Sequence, residues 1–202
     1  MDMLLKNMEN YARENKVPII NSQGADLLVE TVKTYRPSSV LEIGTAIGYS
    51  TLLIARNSPS AKIISIEIDP DRVAQADTFI RQAGLSDQVD IVVGDANQVI
   101  STLNTKFDMV FIDAAKGQYL NYLVKVMEKL NDNAVIFTDN VLFRGMVEGD
   151  IETPRRYRTI VKRLREFLEF IHQDSRFSTS LYRSGDGIAI SIYQGAKVFE
   201  KT

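Results

Sequence analysis

LEIGTAIGYS, residues 41–50, reads as the end of a buried strand, a glycine turn and the first turn of a helix. That succession is where nucleotide-like cofactors bind in open α/β sheets. Around it, short apolar runs alternate with amphipathic segments, the βαβ pattern of a parallel sheet with helices on both faces. Strands are predicted over 39–43, 62–67, 88–93, 107–112 and 134–138, each rich in Val, Ile or Phe as a strand buried on both faces is. Helices are predicted over 50–56, 70–82, 96–103 and 118–130. Asp69 caps the second of these, Pro70 takes its first position and Gly84 ends it. Two further helices, near 2–14 and 22–35, precede the sheet and are expected to cover its open edge. A basic helix spans about 155–171, and 177–182 with 188–193 read as a closing antiparallel hairpin joined by SGDG. The expected architecture is α/β, a Rossmann-like doubly wound sheet, mostly parallel, forming a single domain over 1–202 with 1–36 as its helical cover.

Bulk composition narrows the function classes. With 202 residues the chain can bury a core around one sheet, and 45% hydrophobic with 25% charged residues is ordinary for a globular protein. The absence of cysteine removes disulfides and thiolate metal sites. MDMLLKNMENYARENK mixes charges into its apolar positions, so neither a secretory signal nor a membrane span is expected, and the cytoplasm is the default compartment. A formal net charge of −2 means that any nucleic-acid contact must rely on a local basic patch.

The glycine loop does not carry a dinucleotide fingerprint. Ala46 stands between Gly44 and Gly48 where a second glycine would let backbone approach a pyrophosphate. Glu42 at the strand end would repel a diphosphate but suits a cofactor with a cationic amino-acid end, and S-adenosylmethionine, with an ammonium and a sulfonium, has that sign. Gly44 and Thr45 belong to the loop expected to touch it. Glu67 ends the second strand where an acid accepts both ribose hydroxyls, and Asp95 with Ala96, after the third strand, would flank the adenine. The plainer alternative is a tight strand-to-helix turn with a solvated acid at the next strand end. Three successive strands ending in acid at one edge favour the cofactor.

FIDAAK brings Asp113 to the end of the fourth strand, and FTDN brings Asp139 and Asn140 to the end of the fifth. Three hard oxygen donors without His or Cys suit Mg²⁺ or Ca²⁺ rather than zinc. Alone, Asp113 would be read as a helix cap and Asp139-Asn140 as an Asx turn. Neighbouring strands would bring them together, leaving positions for a substrate with two adjacent oxygens. Lys116, three residues past Asp113, is the candidate for taking the substrate's proton, since a nearby cation disfavours its ammonium form. A solvated lysine at a helix start is the competing reading, although a helix N-terminus is unfavourable to a cation.

These residues carry a resemblance. LEIGTAIGYS, IEIDP, the GDA at 94–96, FIDAAKGQY, TDNVLFRG and the late GDG resemble the cation-dependent O-methyltransferases, a family that includes catechol and caffeoyl-coenzyme A methyltransferases. VPII, GTAIGYS, FIDAAKGQY and DNVLFRG look most like the branch that acts on 5-hydroxyuridine in the tRNA anticodon loop. The resemblance implies that Asp113, Asp139 and Asn140 bind Mg²⁺. It also implies that Ile20, Ser50, Glu67, Asp95, Ala96 and Asp113 line the S-adenosylmethionine pocket, that Lys116 is the catalytic lysine beside Asp113, and that the protein is a homodimer. Ile20 stands where methionine is commoner, an exchange that a backbone contact to the cofactor survives.

5-Hydroxyuridine fits such a site, because its 5-hydroxyl and 4-carbonyl oxygens offer the five-membered chelate that catechol offers. A tRNA would also need cations, and Arg144, Arg155, Arg156, Arg158, Lys162, Arg163 and Arg165 supply them, unless this basic helix is simply a solvated face. Tyr157 and Phe143 would stack on bases or pack in the core. Three alternatives stay beside the tRNA methyltransferase: methylation of a small catechol-like vicinal diol, a non-catalytic RNA-binding module, and a nicotinamide dehydrogenase. The last is disfavoured by Ala46 and by His172 being the sole histidine, on the distal helix.

Overall fold

The computed structural model describes residues 3–149 and 151–195, which form two compact units, one up to Leu103 and one from Asn104. Seven strands are hydrogen-bonded in the order β3-β2-β1-β4-β5-β7-β6. The sheet is mixed and mostly parallel, as the alternating pattern predicts.

In the first unit the chain runs α1 (Met3–Glu14), α2 (Ser22–Tyr35), β1 (Ser39–Ile43), α3 (Tyr49–Asn57), β2 (Lys62–Glu67), α4 (Pro70–Gln82), β3 (Val89–Val93) and α5 (Ala96–Thr102). Asp2, the expected first residue of α1, lies outside the described residues. β1 pairs in parallel with β2 from Ser39 opposite Lys62 to Ile43 opposite Ile66, and β2 with β3 from Ile63 opposite Val89 to Glu67 opposite Val93. Their carboxyl ends therefore finish nearly level. Asp69 caps α4 by accepting from the N–H groups of Asp71 and Arg72, with Pro70 in the first turn, a cap that stabilises a helix by about 1 kcal/mol. Helix α1 packs on other helices: Tyr11 meets Phe79 of α4 edge-on at 5.8 Å, and Glu9 accepts from the hydroxyl of Tyr49 in α3 at 2.8 Å.

The second unit contains β4 (Phe107–Ile112), α6 (Tyr119–Met127), β5 (Leu130–Asp139), α7 (Arg158–Gln173), β6 (Phe177–Tyr182) and β7 (Ile188–Tyr193), with single 3-10 turns leading into α6 and α7. β5 starts four residues before the predicted strand, at Leu130, which pairs with Phe107. Asn131, Asp132 and Asn133 read as a loop in sequence, yet the register shift between Phe107 and Met109 and the left-handed Asn133 (φ 64°) absorb them within the ladder. Helix α6 correspondingly ends at Met127 rather than 130. The closing hairpin forms as expected, with β7 antiparallel to both β5 and β6.

Val110, Phe111 and Ile112 of β4 and Val135, Ile136 and Phe137 of β5 are almost wholly buried, and Phe111 stacks on Phe137 at 5.5 Å. Each such side chain contributes about 1.5–3 kcal/mol. This packing fixes the strand ends that carry Asp113 and Asp139. Among the described residues no helix is long and apolar enough to cross a membrane.

Candidate active site

Each unit presents polar groups at the carboxyl ends of its strands. In the first unit Glu42 is fully buried, and its carboxylate accepts from the hydroxyls of Ser50 at 2.5 Å, Ser65 at 2.5 Å and Thr51. Ser65 lies directly opposite Glu42 in the β1–β2 ladder, and the Thr45 hydroxyl reaches Ser65 at 2.5 Å. Sequence reasoning gives Glu42 the cofactor's ammonium; in the structure, at 0% exposure, its carboxylate meets the Ser50, Thr51 and Ser65 hydroxyls, and Ser65 in turn meets Thr45. Buried carboxylates need such donors.

Glu67, also buried, accepts from the Ala46 N–H at 2.9 Å through one oxygen and from Ile68 and Asp69 at 3.0 and 3.1 Å through the other. Gly44 and Thr45 donate to the Ile66 carbonyl at 2.9 and 3.2 Å. Ala46 is left-handed (φ 47°), and its N–H bond to Glu67 is what holds that non-glycine residue there. Gly48 is favoured by its φ of 82°, whereas a Cβ there would make only ordinary contact with Ala76 Cβ on α4, at 3.4 Å. Asp95 caps α5 by accepting from Asn97 N–H at 2.8 Å, Ala96 and Ile20 are buried, and Ile68 beside Glu67 is 68% exposed.

In the second unit Asp113 follows β4, Asp139 ends β5 and Asn140 follows it in a left-handed conformation (φ 59°). Asp139 is 1% exposed; its Oδ1 accepts from the Asn140 N–H at 2.7 Å, while its Oδ2 is buried with no partner. Desolvation, then the charge of Asp113, push Asp139 up to about 7, against opposing help from the Asn140 N–H and Lys116. Asp113 is raised as well, by desolvation, with Lys116 opposing. The Lys116 ammonium lies 2.8 Å from Asn140 Oδ1 and 3.9 Å from Asp113 Oδ1, with about a fifth of its side chain exposed. Lys116 is thus no solvated lysine, Asp113 caps no helix, and the Asx bond of Asp139 uses only one of its oxygens.

Two carboxylates in each other's field, one with an orphaned buried oxygen, lack positive charge. Among the described residues no three His, Cys, Asp or Glu side chains gather in a metal-holding group, so any ion here relies on Asn140 as its third protein donor. Hard oxygen donors of this kind fit Mg²⁺ or Ca²⁺.

The loop after Asn140 is held from two sides. The Val141 and Leu142 N–H groups donate to the carbonyls of Gly187 and Asp186 at 3.0 and 2.8 Å, and a Cβ on Gly187 would lie 2.3 Å from Leu142 Cγ. Arg165 of α7 donates to the carbonyls of Val147 and Met146 at 2.8 and 3.0 Å. The basic set therefore divides. Arg165 serves the loop, and Lys162 and Arg163 pair with Glu166 at 3.8 and 3.1 Å. Arg144, Arg155, Arg156 and Arg158 are exposed. Phe143 and Tyr157, half-buried rather than core, meet edge-on at 5.3 Å, with Arg144 5.9 Å from both rings and Arg156 4.6 Å over Tyr157. His172 is exposed and bonded to the Leu168 carbonyl on its own helix.

Sequence reasoning passed over Ser65, Thr51, the loop role of Arg165, and Tyr119, whose hydroxyl donates to the Asp139 carbonyl at 3.0 Å. The one available signal was Tyr119 inside FIDAAKGQY, where its helical spacing reads as core.

The profile of the O-methyltransferase family matches residues 2–193. Catechol O-methyltransferase of Mus musculus is 29% identical over 208 aligned positions, which cover 95% of this chain and 72% of that one. A candidate caffeoyl-CoA O-methyltransferase from Staphylococcus aureus superposes with a TM-score of 0.88 at 29% identity, covering 95% of this chain and 93% of its own. The O-methyltransferase TomG from Streptomyces achromogenes, involved in tomaymycin synthesis and solved in complex with SAM, gives 0.87 at 26% identity, covering 96% and 91%.

Proposed function

The chain belongs to the O-methyltransferase family and is an S-adenosylmethionine-dependent O-methyltransferase of the catechol and caffeoyl-CoA type, and from that premise we propose that it methylates 5-hydroxyuridine in the tRNA anticodon loop to 5-methoxyuridine, using a divalent cation, foremost Mg²⁺. A binding module without catalysis and a dehydrogenase are set aside by that membership. The observation that carries the cation is the unpartnered, buried Oδ2 of Asp139 beside a second carboxylate.

Asp113, Asp139 and Asn140 would hold the ion. When bound, it supplies a Lewis acid that eases ionisation of a hydroxyl and orients two vicinal oxygens. Lys116 takes the hydroxyl proton onto Nζ, for which it is already tethered at Asn140. S-adenosylmethionine, when bound, would supply the sulfonium methyl group to the ionised oxygen and leave as a neutral thioether. Ser50 and Thr45, oriented by Glu42 and Ser65, the main chain at Gly44, and Ile20, Glu67, Asp95 and Ala96 line the cofactor site in this reading.

Support for RNA comes from the exposed Arg144, Arg155, Arg156 and Arg158 around the Phe143–Tyr157 pair, cations for phosphates beside rings for bases. A homodimer in the cytoplasm completes the reading. A second reading, a small catechol-like diol, is favoured by the catechol O-methyltransferase relative. Incubation with methyl-labelled cofactor and either hydroxylated tRNA or catechol, each with Mg²⁺ or with chelator, decides between them. Label in tRNA that vanishes with chelator is expected; label only in catechol moves the substrate to the second reading, and undiminished transfer in chelator removes the ion.

A further inference from the structure

We propose that Tyr119 is a positioning residue for the cation site, a strut whose phenol oxygen ties the main chain at the end of β5 to the segment that follows β4, and so sets the spacing of Asp113 and Asp139 before any ion arrives. The inference rests on the cation reading above. It does not depend on which substrate is methylated.

The hydroxyl of Tyr119 donates to the main-chain carbonyl of Asp139 at 3.0 Å. Tyr119 itself opens α6, six residues after Asp113, in the segment that follows β4. One side chain therefore links the segment after β4 to the end of β5, the two stretches of chain that carry the carboxylates. The ring is 1% exposed and packs edge-on against Phe167 of α7 at 5.8 Å, so the oxygen cannot swing away without dislodging a core side chain. Burial raises Tyr119 well above the ordinary tyrosine value, with Asp113 and Asp139 both adding to it, and the phenol stays a neutral donor.

Such a strut has work to do. Without an ion, two buried carboxylates repel, and although β7 holds Asp139 on one side, the β4–β5 ladder pairs nothing beyond Ile112 opposite Thr138 on the other. A hydroxyl bond between the two segments resists their parting there, and a cation then binds a preformed cradle. Lys116 does a related task with its ammonium, but on side-chain atoms, and it is the group that must release its hold to accept a proton. Tyr119 acts on the main chain and stays in place throughout turnover.

The test compares wild type with Tyr119→Phe, which keeps the ring. Divalent-cation binding is measured by calorimetry with Mg²⁺ and by manganese electron spin resonance, beside the cofactor dissociation constant and thermal melting in chelator. The variant is expected to bind the ion about 10- to 100-fold more weakly, the range seen when a group supporting a metal ligand is lost. Cofactor affinity should change less than threefold, roughly the scatter of unrelated sites. Transfer should recover when the ion concentration is raised. An unchanged ion affinity overturns the strut; absence of ion binding by wild type instead overturns the cation reading itself. If the variant does not stay folded, wild type carries the test through hydroxyl proton exchange in chelator, read by NMR. The Tyr119 hydroxyl proton is then expected to give a separate, slowly exchanging signal, as a buried bonded hydroxyl does, and exchange at the rate of a free tyrosine hydroxyl overturns the proposal.

Discussion

The Lys116 ammonium donates to Asn140 Oδ1 across 2.8 Å, on the very atom that would face a bound cation. A divalent ion and an ammonium that close repel by about 4 kcal/mol or more at an effective dielectric constant near 20. Ion loading therefore works against the hold of Lys116 on Asn140 and releases its Nζ toward the substrate hydroxyl. Replacing Lys116 by Met removes both the acceptor and the competing charge. The expected outcome is a fall in kcat of about 10²- to 10⁴-fold, the usual contribution of a general base, with ion affinity equal to or tighter than wild type. Single-turnover transfer and calorimetry with Mg²⁺ read the two effects separately, and weaker ion binding in Lys116→Met would contradict the competition.

The raised carboxylate of Asp139 gives a pH dependence with a definite sign. Its folded value is pushed up to about 7, whereas an unfolded aspartate titrates near about 3.9. Between those values the folded state holds more protons than the unfolded one, so this group makes stability fall as pH rises through the window and leaves it level above. An ion at the site offsets both causes of the shift, first the burial of the charge and then the charge of Asp113. The increase in melting temperature produced by Mg²⁺ over chelator should therefore be larger at pH 8 than at pH 5. A stabilisation that is equal at both pH values removes Asp139 as an ion ligand.

Much of this was legible before any coordinates. Acid residues at the close of apolar runs marked Glu42, Glu67, Asp113 and Asp139 as lying at or near strand ends, although Glu42, Glu67 and Asp139 prove to be buried there. The start of β5 was not legible: Asn131, Asp132 and Asn133 are turn formers, and only pairing of Leu130 with Phe107 draws them into the strand. Ser65 looked like an incidental residue within KIISIE. Its function as a donor to Glu42 exists only because the β1–β2 register sets the two opposite one another, 23 residues apart in the chain. Arg165 counted as one more cation in a basic helix, and its partners, the carbonyls of Met146 and Val147, depend on a loop path that no local pattern encodes.

Glu42 supplies the third prediction. Glu42→Gln preserves shape but turns one acceptor of Ser50, Thr51 and Ser65 into a donor, so at least one of three buried hydroxyls loses its partner. An unsatisfied buried group costs about 1–3 kcal/mol, enough to lower the melting temperature by several degrees. Because Ser50 and Thr45 belong to the same network, cofactor affinity should fall about tenfold or more, as one such loss in kcal/mol converts. Calorimetric titration with S-adenosylhomocysteine reads it. A variant that is less stable yet binds the cofactor as wild type would confine Glu42 to the core.

The divided basic face makes the RNA reading testable residue by residue. Arg155 and Arg158 are exposed at the start of α7, whereas Arg163 already shares Glu166 with Lys162. Removing a cation that neutralises one phosphate should flatten the dependence of log affinity on log salt by about 0.7 for a single strand. The double variant Arg155→Ala with Arg158→Ala is therefore expected to weaken tRNA binding and lower that slope, while Arg163→Ala leaves it near wild type. Methylation of a small catechol acceptor should be unaffected by either variant, since these side chains act on the polymer and not on the reacting oxygens. Filter binding across a salt series, beside catechol turnover, separates the cases: equal slopes in all three proteins would take α7 out of the RNA interface, and a matching fall in catechol turnover would mean that the variants disturb the site itself.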